Sequence, residues 1–288
     1  MSDLVAVTGA TGFVGGRVAQ LLAQRGVAQR LVVRDAGRAP DLPRAEVRAA
    51  SSYGAGDEMR AALEGAGTLF LVPAGESADR VEQHITAVDA ALAAGVRRIV
   101  YLSFVNVAPD HTFTLARHHW ATEEHIRAAG VPFTFPRMSI YLDFAPSLAG
   151  PDGVIAGPAG EGRVGMVARA DVADAVTAIL TGDGHDGQVY DVTGREALSL
   201  GEVAAQLAEL SGKPISYRDE TIEEARATRA SYGVPDWVLD AWISTYTAIA
   251  AGEVETVSDS VARLAGHEPM TLAEYVRANP DSLDHVTG

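Results

Sequence analysis

The chain has no cysteine, which excludes a disulfide framework, a thiolate nucleophile and any cysteine-ligated metal. It has one lysine, Lys213, and none of its eight tyrosines is followed by lysine four residues on. A Tyr-x-x-x-Lys pair, in which the ammonium lowers the phenol pKa for proton transfer, is therefore excluded. No apolar run reaches the roughly 20 residues of a membrane span, and the N-terminus lacks the basic-then-apolar order of a secretory signal. These absences favour the cytoplasm, and no membrane partner is expected. Basic charge is scarce: 23 Lys and Arg face 38 Asp and Glu, a formal net charge of −15, with no basic cluster. Such a surface repels a polyanion, so no nucleic-acid partner is expected. No metal site is expected either. What remains is a soluble chain of 288 residues, 47% hydrophobic, long enough for a large α/β domain with a modest annex.

The chain is organised around its beginning. Leu4 to Val7 is an apolar run suited to a buried parallel strand. Gly9, Gly12 and Gly15 follow at Gly-x-x-Gly-x-x-Gly spacing, and then Val18, Leu21 and Leu22 at helical intervals. A strand, a glycine turn and a helix N-terminus in that order make a phosphate cradle, open to close backbone approach and favourable to an anion. The next strand, Arg30 to Arg34, ends about twenty residues further on, where a dinucleotide fold meets the adenosine ribose. An acid there would suit the 2′-hydroxyl of NAD; Arg34 instead suits the 2′-phosphate of NADP, while Asp35 either competes or caps the next turn.

Strands at Ala45, Thr68 and Arg97 alternate with helices at Asp57–Leu63 and Arg80–Ala94, which predicts a doubly wound parallel sheet. Pro73 ends the Thr68 strand, and Pro73 and Ala74 then face the middle of a bound dinucleotide. Within the Arg80 helix, His84 reads as structural. Ser103 lies at the carboxyl end of the Arg97 strand, placed either to meet a substrate carbonyl or to cap a turn. A helix from Leu115 carries His118 and His119, and a strand from Val131 leads into Tyr141. Beyond residue 150 the chain is richer in Gly and Pro. It then offers a helix over Asp171–Leu180, a strand from Gln188, a helix of Leu200–Leu210 capped by Ser199, and further helices to Val276. Trp237, Trp242 and Tyr246 share helical spacing and read as core packing.

The loop Thr8-Gly-Ala-Thr-Gly-Phe-Val-Gly15 resembles that of extended and atypical short-chain dehydrogenases/reductases. A more specific resemblance is carried by His119-Trp-Ala-Thr-Glu-Glu, by Ala-Gly-Val-Pro-Phe-Thr-Phe-Pro-Arg137, by Tyr141-Leu-Asp-Phe and by Gly165 to Asp174. Together these are similar to the NmrA-like atypical family, nearest to its NADPH-dependent quinone oxidoreductases, over almost the whole chain. The resemblance implies a Rossmann domain over residues 1–150, its sheet completed by later segments, and a smaller C-terminal α+β lobe over 151–288. It implies NADP(H) held by Gly9, Thr11, Gly12, Phe13, Val14, Gly15, Arg34, Pro73, Ala74, Ser103, Pro136, Arg137 and Met138. The implied reaction is hydride transfer to a small quinone or carbonyl compound. With Tyr-x-x-x-Lys absent, the candidate acid–base or orienting groups are His119, nearest the family's helical lysine, Tyr141, Ser103 and His118. Some members of the family bind NAD(P) without turnover, so a regulatory redox sensor is the alternative.

Overall fold

The computed structural model describes residues 4–287. Twelve strands are described: β1 (Val5–Thr8), β2 (Gln29–Val33), β3 (Ala45–Ala49), β4 (Thr68–Leu71), β5 (Arg98–Tyr101), β6 (Ser103–Phe104), β7 (Phe133–Met138), β8 (Val154–Gly157), β9 (Arg163–Val164), β10 (Gln188–Val192), β11 (Leu198–Ser199) and β12 (Ser216–Asp219). The α-helices are α1 (Phe13–Gln24), α2 (Gly56–Leu63), α3 (Arg80–Ala93), α4 (Thr114–Ala128), α5 (Arg169–Thr181), α6 (Leu200–Ser211), α7 (Ile222–Arg229), α8 (Asp236–Ala250), α9 (Ser260–Ala265) and α10 (Leu272–Ala278). No described helix is long and apolar enough to cross a membrane.

The main sheet runs β10-β7-β5-β4-β1-β2-β3, with β6 paired to β7. Parallel pairing joins β1 to β2 and β4, β2 to β3, β4 to β5, and β5 to β7. Every residue of β1, β2 and β4 is buried, as expected for strands covered on both faces. The strand order reverses between β1 and β4, so the doubly wound sheet opens its ligand crevice at their carboxyl ends. Leu69, Leu71, Ile99, Tyr101 and Phe135 of the sheet pack against Val88 and Ala91 of α3 and Ile126 of α4 to form the core.

The chain falls into two compact units woven from alternating segments. The first takes the chain up to Phe104, then His118–Arg137 and Ala170–Tyr190; the second takes Val105–Arg117, Met138–Arg169 and the chain from Asp191. This differs from a cut at residue 150. The reason is the sheet itself, which draws β7 and most of β10 from later in the chain to extend its β5 edge.

In the second unit β8 and β12 pair in parallel, and β9 and β11 antiparallel. Its helices start on local chemistry. Ser199 with Glu202, Thr221 with Glu224 and Thr271 with Glu274 form reciprocal capping boxes at α6, α7 and α10. The sole lysine is also structural: Lys213 Nζ donates to the carbonyls of Leu283 and Val286 at 2.6 and 2.8 Å.

Candidate active site

In the first unit the glycine loop connects β1 to α1 as a tight cradle. Gly9 has φ +63°, a left-handed conformation that favours glycine, and an added Cβ would lie 3.0 Å from the Val72 side chain. Gly12 N–H donates to Gly9 O at 2.9 Å, closing the turn. A Cβ on Gly15 would collide with Gly9 O and lie 2.7 Å from Thr8 O, so helix and strand are packed backbone to backbone. Gly12 is the N-cap of α1; no side chain caps it and no acid lies in the first turn. The positive end of the helix dipole is thus left available to an anion. Val14 and Gly15 are buried, whereas Thr11, Gly12 and Phe13 are exposed.

Arg34 directly follows β2, is exposed, and makes no hydrogen bond or ion pair among the described residues. Asp35 is committed elsewhere, its carboxylate accepting from Gly37 N–H at 2.9 Å to cap the turn Ala36–Arg38. The arginine is therefore the group left to read a ribose substituent. Close by, Tyr53 donates its hydroxyl to Val72 O at 2.7 Å. Burial pushes its pKa up to about 12, opposed by a hydrogen bond with Thr8 and by the charge of Arg34.

The loop after β4 is pinned from beneath by a buried polar cluster that the sequence analysis did not assemble. Ala74 N–H donates to His84 Nε2 at 2.8 Å, and Arg80 Nε donates to Ala74 O at 3.0 Å. A backbone N–H only donates, so His84 accepts at Nε2 and carries its proton on Nδ1, which meets Thr122 Oγ1 at 2.9 Å. Arg80 Nη2 lies 3.2 Å from His119 Nε2, and His119 Nδ1 lies 2.8 Å from the Tyr101 hydroxyl. Guanidinium also only donates, so His119 is the Nδ1–H tautomer as well. Burial, and secondarily the charge of Arg80, lowers His84 to about 3 and holds His119 well below the ordinary imidazole value.

His119, the candidate proton donor of the sequence analysis, lies within this cluster. Its ring is buried, neutral, and has both nitrogens engaged within the cluster. Ser103 is buried, and its hydroxyl donates to Glu123 Oε1 at 2.6 Å. The same carboxylate receives Arg127 Nη2 at 2.8 Å and a bidentate fork from Arg137 at 2.9 and 2.7 Å. This arrangement makes Ser103 and Arg137 partners of a buried ion cluster. Pro136 is buried in β7, and His118 is half-buried on α4, its carbonyl accepting from Thr122.

In the second unit Met138 is half-buried and Tyr141 forms an isolated parallel bridge with Val167. Burial raises the Tyr141 pKa, opposed by Arg169 and aided by Asp143, so the phenol keeps its proton. Asp143 accepts from both the backbone N–H and Nε of Arg169, each at 2.9 Å. The Arg169 guanidinium lies over the Phe144 ring at 5.4 Å, and that ring meets Tyr141 edge-on at 5.9 Å. Trp242 and Tyr246 do not fill a core as their spacing suggested. They are half-buried and line a cavity, while α8 buries Leu239, Ala241, Ile243, Ala248 and Ile249.

Residues 9–183 match a family described as NAD(P)H-binding. Over 280 residues the chain is 32% identical to quinone oxidoreductase 2 of Escherichia coli K12, spanning 95% of this chain and 97% of that protein. The crystal structure of the NADPH-dependent quinone oxidoreductase from E. coli, complexed with NADPH, gives a TM-score of 0.87 at 32% identity, covering 96% of this chain and 99% of that one. Triphenylmethane reductase of Citrobacter sp. gives 0.86 at 31% identity, with coverages of 97% and 99%. With the glycine cradle, the free arginine and the reversed strand order already in hand, the chain belongs to the NAD(P)H-binding oxidoreductase family related to quinone oxidoreductase and the NmrA-like fold.

Proposed function

We propose that the chain is an NADPH-dependent oxidoreductase that reduces a small quinone or carbonyl compound in the cytoplasm. The observation that carries the cofactor half is Arg34, exposed and uncommitted at the end of β2, beside a glycine cradle whose helix has no side-chain cap. The glycine fit is close: a Cβ at Gly15 has no room, which keeps the backbone where a pyrophosphate would meet it. NADPH held there would supply a hydride, which with one proton would reduce the acceptor.

The protein's own residues then have separable tasks. The N–H groups at the start of α1 would hold the pyrophosphate. Arg34 donates to the 2′-phosphate. Pro73 and Ala74 form a fixed wall because His84 and Arg80 tie down both polar groups of Ala74. His119 is a positioning residue, accepting from Arg80 and donating to Tyr101. Tyr141, whose phenol stays protonated, donates a hydrogen bond to the acceptor oxygen, and solvent supplies the proton. A quinone oxyanion needs little more than such a donor, which fits the missing tyrosine–lysine pair.

The regulatory alternative has less support, since the relatives at 30% identity and above carry reductase names. The test is NADPH oxidation against a panel of quinones and aldehydes, alongside NADPH and NADH titrations. Acceptor-dependent turnover with tighter NADPH binding is expected; tight binding with no turnover for any acceptor overturns the enzymatic reading.

A further inference from the structure

A cavity of about 900 Å³ is built wholly from residues of the second unit. That is near the upper end of small-molecule sites and far more than a single-ring quinone needs. Its walls are fixed. Tyr246 packs against Gly157, where an added Cβ would collide with the ring. Arg229 covers the Tyr246 ring at 5.2 Å and is itself held by Glu220 at 2.9 Å and Ala156 O at 2.7 Å.

Two further rings in the lining face solvent: Phe144 is 49% exposed and Tyr232 66%. Tyr232 meets the Trp242 ring edge-on at 5.9 Å, and both rings line the cavity. Leaving large rings in water is unfavourable unless a ligand covers them, and aromatic walls favour a planar aromatic ligand. The polar groups narrow the class. Glu220, buried, is shared by two arginines, Arg229 and Arg218. Arg218 gives it only one 3.1 Å hydrogen bond and keeps a side chain 62% exposed, so further donors stay open. The remaining carboxylate of the lining, Asp152, accepts from Val154 N–H at 3.1 Å. The lining thus carries two arginines against two carboxylates, a neutral site in a chain of net charge −15.

We infer that this cavity binds a planar aromatic ligand of two or more rings bearing an acidic oxygen substituent read by Arg218. Binding is measured on the full-length protein without cofactor, by tryptophan quenching. The probes are anthraquinone sulfonate, a neutral hydroxymethyl anthraquinone, and benzoquinone.

Anthraquinone sulfonate is expected to bind at least about tenfold more tightly than benzoquinone. Arg218→Gln should weaken the sulfonate by about tenfold and leave the neutral analogue unchanged. Thr245→Trp, which fills the cavity from α8, should abolish anthraquinone binding while NADPH affinity is retained. Tyr232→Ser, at an exposed position that does not threaten folding, should weaken both anthraquinones several-fold. Anthraquinone binding that none of the three variants alters, or no such binding at all, overturns the inference even if benzoquinone is reduced. Variant-sensitive anthraquinone binding without NADPH oxidation by any acceptor supports the binding site and overturns the oxidoreductase reading instead.

Discussion

Acidification should loosen the buried cluster beneath Ala74, with a slope that can be worked out from two imidazoles. His84 is held neutral, its value lowered from 6.5 to about 3 mainly by burial, and His119 is shifted in the same direction. Above about pH 6.5 both rings are neutral whether the chain is folded or unfolded, so neither makes stability depend on pH. As pH falls below that point the unfolded chain binds protons and the folded chain does not. Stability is therefore fully present above the unfolded pKa and declines as pH falls toward the folded one. Each such proton contributes about 1.4 kcal/mol per pH unit, so the two histidines together give about 2–3 kcal/mol per unit. That is a large share of the roughly 5–15 kcal/mol by which folded domains are stable. His84→Gln keeps a carbonyl able to accept from Ala74 N–H but removes the titration. Urea unfolding at about pH 7, 6 and 5 should then show a slope smaller by about 1.4 kcal/mol per unit in the variant. Comparing slopes cancels the carboxylate contributions common to both proteins. Equal slopes would refute the assignment of His84 as a buried neutral acceptor.

Three substitutions test the site more locally. Arg34→Ala removes an exposed side chain with no described partner, so folding should be unchanged while NADPH affinity falls by about ten- to a hundredfold and NADH affinity holds, measured by fluorescence titration. Gly15→Ala forces the backbones of α1 and the β1 turn apart, which should cost about 1–3 kcal/mol of stability and weaken NADPH binding more than tenfold. Tyr141→Phe should lower kcat by about tenfold to a hundredfold for the best quinone, with the NADPH dissociation constant unaltered.

Much of the fold was legible because its signals are local. The apolar runs of β1, β2 and β4, the glycine spacing and the Ser199 cap are each contained within a few neighbouring residues. The tight glycine turn over Gly9–Gly15 and the position of Arg34 just after β2 were legible for the same reason. The buried cluster was not, because Arg80, His84, Tyr101, His119 and Thr122 come from α3, β5 and α4 and meet only through tertiary packing. Likewise nothing near Ser103 announces that its hydroxyl is committed to Glu123, twenty residues away. The two-residue strands β6, β9 and β11 are too short to carry a period. Spacing placed Trp242 and Tyr246 on α8 correctly but could not say that a cavity, and not a packed neighbour, faces them.

The central claim is hydride transfer from bound NADPH. Its most direct test is single-turnover oxidation of NADPH carrying deuterium at one or the other face of nicotinamide C4, with a saturating quinone. The account predicts that one of the two labelled forms reacts severalfold more slowly than unlabelled NADPH and the other does not. NADPH that binds tightly yet is never oxidised, whatever acceptor is supplied, would contradict it.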